Sequence, residues 1–211
     1  MTAVTFDPGC RRCTRLADFL AEVKRAYPDY YCRPVPPFGA ADPGVLVVGL
    51  APGMHGANAT GRPFTGDFAG ILLYETLYKY GFASAPQSVS ADDGLELIDC
   101  RITNAVKCLP PQNKPVGSEI NACRQFLAAE LAGLVEGSIV VALGSIAHKS
   151  VIAGLGLAQK DYAFAHAAEH TVARGITLID SYHCSRYNTQ TRRLTTAMFE
   201  QVFARARVLR G

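Results

Sequence analysis

Short unbroken apolar runs alternate along this chain with longer stretches in which apolar residues recur every third or fourth position. Val45 to Val48, Ile139 to Leu143 and Ile176 to Asp180 are runs of the first kind, largely β-branched, and read as buried strands. Leu97 to Val106 reads as a further strand that ends in Thr103-Asn104. Helical spacing marks Thr14–Tyr27, where Leu16, Phe19, Leu20 and Val23 form a core stripe. The same spacing predicts helices over Phe68–Tyr80 with a stop at Gly81, over Glu119–Val135, from Gly144 through Ala153, and over Thr189–Val208. Pro34, Pro36 and Pro37 make Tyr30–Phe38 an extended connector. Ala83–Gly94 is a polar surface excursion, and Gly154–Thr171 is irregular, holding His166 and His170. Strands alternating with helices predict a parallel sheet covered by helices on both faces. Neither an internal repeat nor a linker splits the chain, so residues 1–211 are expected to form one domain.

Composition narrows the class. At 211 residues with 49% hydrophobic and 18% charged positions, the chain is globular and not disordered. A net charge of +3 permits a nucleic-acid partner without demanding one. Apolar runs fall well short of the roughly 20 residues that span a bilayer, and Met1 to Gly9 lacks a signal-peptide core. A cytoplasmic location with no membrane partner is therefore expected.

The loop after the first long strand is the richest in chemistry. GLAPGMHGANATGRPFTGD, Gly49–Asp67, is far longer than the roughly 2–6 residues of an ordinary βα connection. It carries His55, Asn58, Arg62, Phe64, Thr65 and Asp67, which stack, hydrogen-bond or bear charge. Open α/β sheets place ligands at such strand ends. The loop lacks both the G-x-x-x-x-G-K-[ST] and G-x-G-x-x-G phosphate patterns.

Seven cysteines in a reducing compartment point to ligands or free thiols, and an odd number leaves one outside any disulfide scheme. Cys10 and Cys13 have C-x₂-C spacing, while Cys108 and Cys123 are separated by fourteen residues. Four thiolates so spaced suit an iron–sulfur cluster or zinc, or are unrelated thiols. Cys32 and Cys100 read as buried, inert small hydrophobes.

The Gly49–Asp67 loop, TNAVKC at Thr103–Cys108 and HCSRYNTQTRRLT at His183–Thr195, taken in order, resemble family 5 of the uracil-DNA glycosylase superfamily. The resemblance implies a three-layer α/β/α fold around a four-stranded parallel sheet. It also implies a [4Fe–4S] cluster on Cys10, Cys13, Cys108 and Cys123, and hydrolysis of the N-glycosidic bond of uracil in double-stranded DNA. The family also accepts deaminated purines such as hypoxanthine and xanthine. Its base pocket maps onto Ala51, Gly53, Phe64, Asn104 and His183, with Phe64 stacking, Asn104 reading the base edge and His183 donating towards uracil O2.

No carboxylate precedes the motif proline, where Ala51 stands; Asp67 is the matching acid, expected to stabilise the sugar cation, orient water, or cap a helix. His55, Asn58, Arg62, Ser185, Arg186, Tyr187, Asn188 and Arg192 are the expected DNA contacts, with Arg193 beside them facing phosphates. Cys184 stands where the family favours proline and Arg192 where it favours glycine. A monomer associated with the nucleoid is expected. Two other readings stay open: a non-catalytic binder of damaged DNA, and an iron–sulfur redox protein.

Overall fold

The computed structural model describes residues 6–211, so part of the segment expected to lack a signal core (residues 1–5) lies outside the described residues. Six strands form one sheet: β1 (Phe38–Gly39), β2 (Val45–Gly49), β3 (Cys100–Asn104), β4 (Ile139–Leu143), β5 (Glu169–Thr171) and β6 (Thr177–Ser181). Their order is β1-β3-β2-β4-β6-β5. The central four, β3, β2, β4 and β6, are parallel, as the strand–helix alternation predicts.

Alternation within β2 shows why the sheet is buried on both sides. Val45 and Val47 face a cluster with Leu73 and Leu77 of α3 (Phe68–Lys79) and Phe199 and Phe203 of α7 (Thr196–Arg210). Leu46 and Val48 face the opposite cluster, with Leu127 and Leu131 of α4 (Gly117–Ala132) and Val151 and Ile152 of α5 (Ser145–Gly154). Helices on both faces explain the continuous apolar strands. Outside these layers α1 (Thr14–Ala26) packs its Leu16 against Val106 and Phe126.

Three expectations are corrected. The sheet is mixed and six-stranded: β1 pairs antiparallel with β3, and β5 antiparallel with β6. Both edge strands are too short, two and three residues, to carry a readable period. The second long strand is trimmed to Cys100–Asn104, because Leu97 bridges Ala83 instead. The last helix is two: α6 (Arg186–Gln190) and α7, separated by a turn in which Arg192 adopts a left-handed φ of 56°. Among the described residues no helix is long and apolar enough to cross a membrane.

Candidate active site

The carboxyl ends of β2, β3 and β6 open onto one cavity of 570 Å³. Ala51, Gly53, His55, Phe64, Asp67, Asn104, His183, Ser185 and Arg186 all line it. Ala51 and Arg186, 135 positions apart in the chain, thus meet as the strand ends require.

Parallel pairing sets Gly49 beside Asn104. The missing side chain matters: a Cβ on Gly49 would lie 2.5 Å from Asn104 Oδ1 and 2.6 Å from Phe64 Cζ. The last residue of β2 is bare so that both groups can turn inward. Asn104 is 3% exposed, and its Oδ1 is buried with no hydrogen-bond partner among the described residues. An amide oxygen in that state is an acceptor held ready for a donor.

Phe64 is buried and left-handed, with φ 56°. Its neighbours hold it there. The Tyr74 hydroxyl of α3 donates to Pro63 O at 2.8 Å, and burial pushes that phenol up to about 12, so it keeps its proton. On the other side Gly70 lies so close that a Cβ would overlap Phe64 O. The Phe64 and His183 rings are 6.0 Å apart and 28° from parallel. Enclosure without a counter-charge pushes His183 down to about 4, leaving it neutral at pH 7. Asn188 Nδ2 donates to His183 O at 2.8 Å and fixes the turn that carries the imidazole.

Of the roles expected of Asp67, the helix cap is visible. Oδ1 caps α3, accepting from Gly70 N at 2.9 Å. Oδ2 lies against Gly53 and Gly56, where a Cβ would fall within 3.3 and 2.6 Å of it. Burial raises the carboxyl, and the Gly70 and Ala69 amides oppose that rise.

Two expected DNA contacts are not at the surface. Asn58 is fully buried in the short helix α2 (Ala57–Thr60), its amide donating to Cys32 Sγ at 3.5 Å. Arg62, 6% exposed, pairs with Asp93 at 2.6 Å, donates to Ser88 at 3.0 Å and covers the Phe38 ring at 4.2 Å. Both are enclosed and brace the loop from within. The other expected contacts ring the cavity mouth or lie on the segment beside it. His55 is exposed, its Nδ1 paired with the Tyr30 hydroxyl at 2.8 Å. Ser185 caps α6, Arg186 lies over the Phe68 ring at 5.0 Å, and Tyr187 is 71% exposed. Arg192 and Arg193 are exposed, Arg193 over Tyr182 at 4.8 Å. Met54, read from the sequence as suiting a roomy pocket, is in the wall, and sequence reasoning missed Asn113 there. Asn113 is left-handed at φ 56°, a conformation asparagine tolerates, which was the one available signal.

All seven cysteines are free. Cys10, Cys13, Cys108 and Cys123 line one narrow cavity with Leu16, Val106 and Phe126. Burial, with the neighbouring Cys123, Cys10 and Cys13, pushes the Cys108 thiol up to about 12. Lys107 N donates to Cys123 Sγ at 3.3 Å. The four sulfurs do not form a donor set within 4.8 Å of one another, whereas two sulfurs on one zinc at about 2.3 Å each cannot lie further apart than roughly 4.6 Å. Cys32 and Cys100 are buried, as expected.

Comparison with known proteins agrees with this geometry. The family model described as "Uracil DNA glycosylase superfamily" matches residues 36–207. A type-5 uracil-DNA glycosylase of Thermus thermophilus is 45% identical over 96% of this chain and 94% of its own length. One from Pyrobaculum aerophilum is 43% identical over 93% of this chain and 87% of its own. One from Mycobacterium leprae is 41% identical over 96% and 92%. The chain belongs to the uracil-DNA glycosylase superfamily, and within it to the type-5 enzymes.

Proposed function

We propose that this chain excises uracil from double-stranded DNA by hydrolysing the N-glycosidic bond, and that it also accepts hypoxanthine or xanthine. The observation that carries the reading is the unpartnered Asn104 Oδ1 in a cavity walled by Phe64 and His183. A base inside a duplex must first be extruded, at a cost of a few kcal/mol. Extruded uracil stacks on Phe64. Asn104 Oδ1 accepts from N3–H while Nδ2 donates to O4, a pair that cytosine cannot match. As the bond breaks, negative charge grows on the departing base, and neutral His183 donates towards O2. One preorganised donor of this kind is worth on the order of 10²–10³ in rate. Asp67, held by its cap, faces the positive sugar and orients the attacking water.

A volume of 570 Å³ supports the wider substrate range, since it exceeds what a single pyrimidine ring needs. Ser185, Arg186 and His55 at the rim, with Asn188, Arg192 and Arg193 on the segment beside it, suit phosphate and groove contacts, and exposed Tyr187 or Arg186 fills the gap left by the everted base. Four free thiols gathered on one cavity, Cys10, Cys13, Cys108 and Cys123, are a donor set that suits a [4Fe–4S] cluster. When bound, such a cluster would tie the N-terminal segment to Cys108 in the loop after β3 and to Cys123 of α4, and no step of base release passes through it. The chain is expected to act as a monomer.

The test is base release by purified protein from duplexes holding uracil, hypoxanthine, xanthine or thymine. Uracil release that disappears in Asn104→Ala, with the fold intact by circular dichroism, supports the reading. Tight binding of uracil duplexes without any release would overturn it in favour of a damage binder.

A further inference from the structure

Away from the base cavity, three donor groups meet on the α4/α5 side of β6. His148 comes from α5, His170 from the edge strand β5 and Asp180 from β6. One ligand atom of each lies within 4.8 Å of the other two. His148 Nδ1 is 2.8 Å from Asp180 Oδ1, and His170 Nε2 is 3.5 Å from Asp180 Oδ2. His148 is 2% exposed and Asp180 is fully buried, while His170, at 17%, leaves a way in from solvent.

Counting protons shows what the cluster lacks. His148 Nε2 lies 3.0 Å from Tyr162 O. A carbonyl only accepts, so Nε2 holds the ring proton, and in a neutral imidazole Nδ1 is a lone pair aimed at a carboxylate oxygen. Two acceptors at that distance need a positive particle between them. His170 Nε2 and Asp180 Oδ2 are likewise buried with no hydrogen-bond partner among the described residues. A proton on His148 Nδ1 bridges the first pair, whereas one on His170 Nε2 faces Asp180 Oδ2 across 3.5 Å, the outer limit of a hydrogen bond. A cation bound by all three groups satisfies every one of these atoms.

We propose that His148, His170 and Asp180 bind one divalent transition-metal ion of the zinc class. Two imidazoles and a carboxylate are a donor set zinc accepts, with a fourth position left for water. Tetrahedral ligands at about 2.0–2.1 Å stand roughly 3.3 Å apart, between the 2.8 and 3.5 Å found here. The bond from His148 Nε2–H to the Tyr162 carbonyl is how proteins orient a metal-bound imidazole. The Phe164 ring against His148 and the Tyr162 ring against His170, at 5.6 and 5.7 Å, supply the apolar wall. The ion pins the edge strand β5 and the 159–164 segment to the sheet.

Cobalt(II) is the probe, added to cluster-loaded full-length protein, with zinc competition as the second measurement. The expected result is one equivalent of cobalt showing weak visible ligand-field bands without the intense near-ultraviolet bands of thiolate ligation, displaced by zinc. His170→Ala, at the exposed side of the site, should weaken binding by roughly 100-fold or more while cluster absorbance stays unchanged. Zinc at about 100 times its dissociation constant should raise the parent's melting temperature by roughly 5–10 °C and leave that of His170→Ala in place. No uptake beyond the cluster's own iron, a thiolate-type spectrum, or binding undiminished in His170→Ala would each overturn the proposal.

Discussion

Gly49→Ala adds one methyl group where the base pocket has no room for it. Gly49 ends β2 in ordinary extended backbone, so alanine meets no conformational penalty and the whole effect is steric. The new Cβ would stand 2.5 Å from Asn104 Oδ1 and 2.6 Å from Phe64 Cζ, where ordinary contact begins at 3.4 Å. Each group must retreat by roughly 0.9 Å, and a misplacement near 1 Å costs about 10²-fold in rate. Overpacking of a closed core costs about 1–3 kcal/mol besides. Gly117→Ala is the matched control, since nothing lies within 4 Å of its Cβ position and its helical site favours alanine. Single-turnover release from a duplex with one uracil, read by alkaline cleavage of the abasic product, measures the rate. Gly49→Ala is expected about 10²-fold slower and Gly117→Ala unchanged. A Gly49→Ala rate within about threefold of the parent would refute the claim that Asn104 and Phe64 grip the base from these positions.

Asp67→Asn keeps an equally good helix cap but removes the charge; uracil release should fall by about 10²–10⁴ with little change in melting temperature, and a rate retained alongside that unchanged stability would make Asp67 a cap alone. His183 is held near 4 in the fold against about 6.5 unfolded, so the unfolded chain takes up its proton first as pH falls. Stability should therefore decline from pH 6.5 towards 4 by up to about 3 kcal/mol, and urea unfolding of His183→Gln should show that much less decline. Arg62→Ala should destabilise by about 3–5 kcal/mol by stranding Asp93, while the salt dependence of DNA binding stays as in the parent.

What could be read in the chain and what could not divide along physical lines. Val45–Val48, Ile139–Leu143 and the inward residues at strand ends were legible because apolar period and sharp loop boundaries are local properties. Phe64, Asn104 and His183 were placed by motif, and parallel pairing brings them to one cavity. Arg62 and Asn58 looked like ligand-facing polar residues because their partners are remote. Asp93 lies 31 residues on in a polar surface segment, and Cys32 lies 26 residues back. The His148–His170–Asp180 cluster was equally hidden, since a strand of three residues gives no periodic signal. Arg192, expected as a DNA contact, also stands where the family favours glycine, and its left-handed backbone supplies the reason for that preference.

Phe64 keeps a backbone shape that side-chain-bearing residues seldom adopt, at about 1–3 kcal/mol. The fold bears that penalty with or without DNA, because Tyr74 and Gly70 clamp the turn from either side. The wall that meets an everted nucleobase is therefore stiff in advance and does not mould itself to the guest. The proposed breadth of substrate would then reside in vacant width between fixed surfaces, and bulk added to the lining, not further rigidity, would be what narrows it.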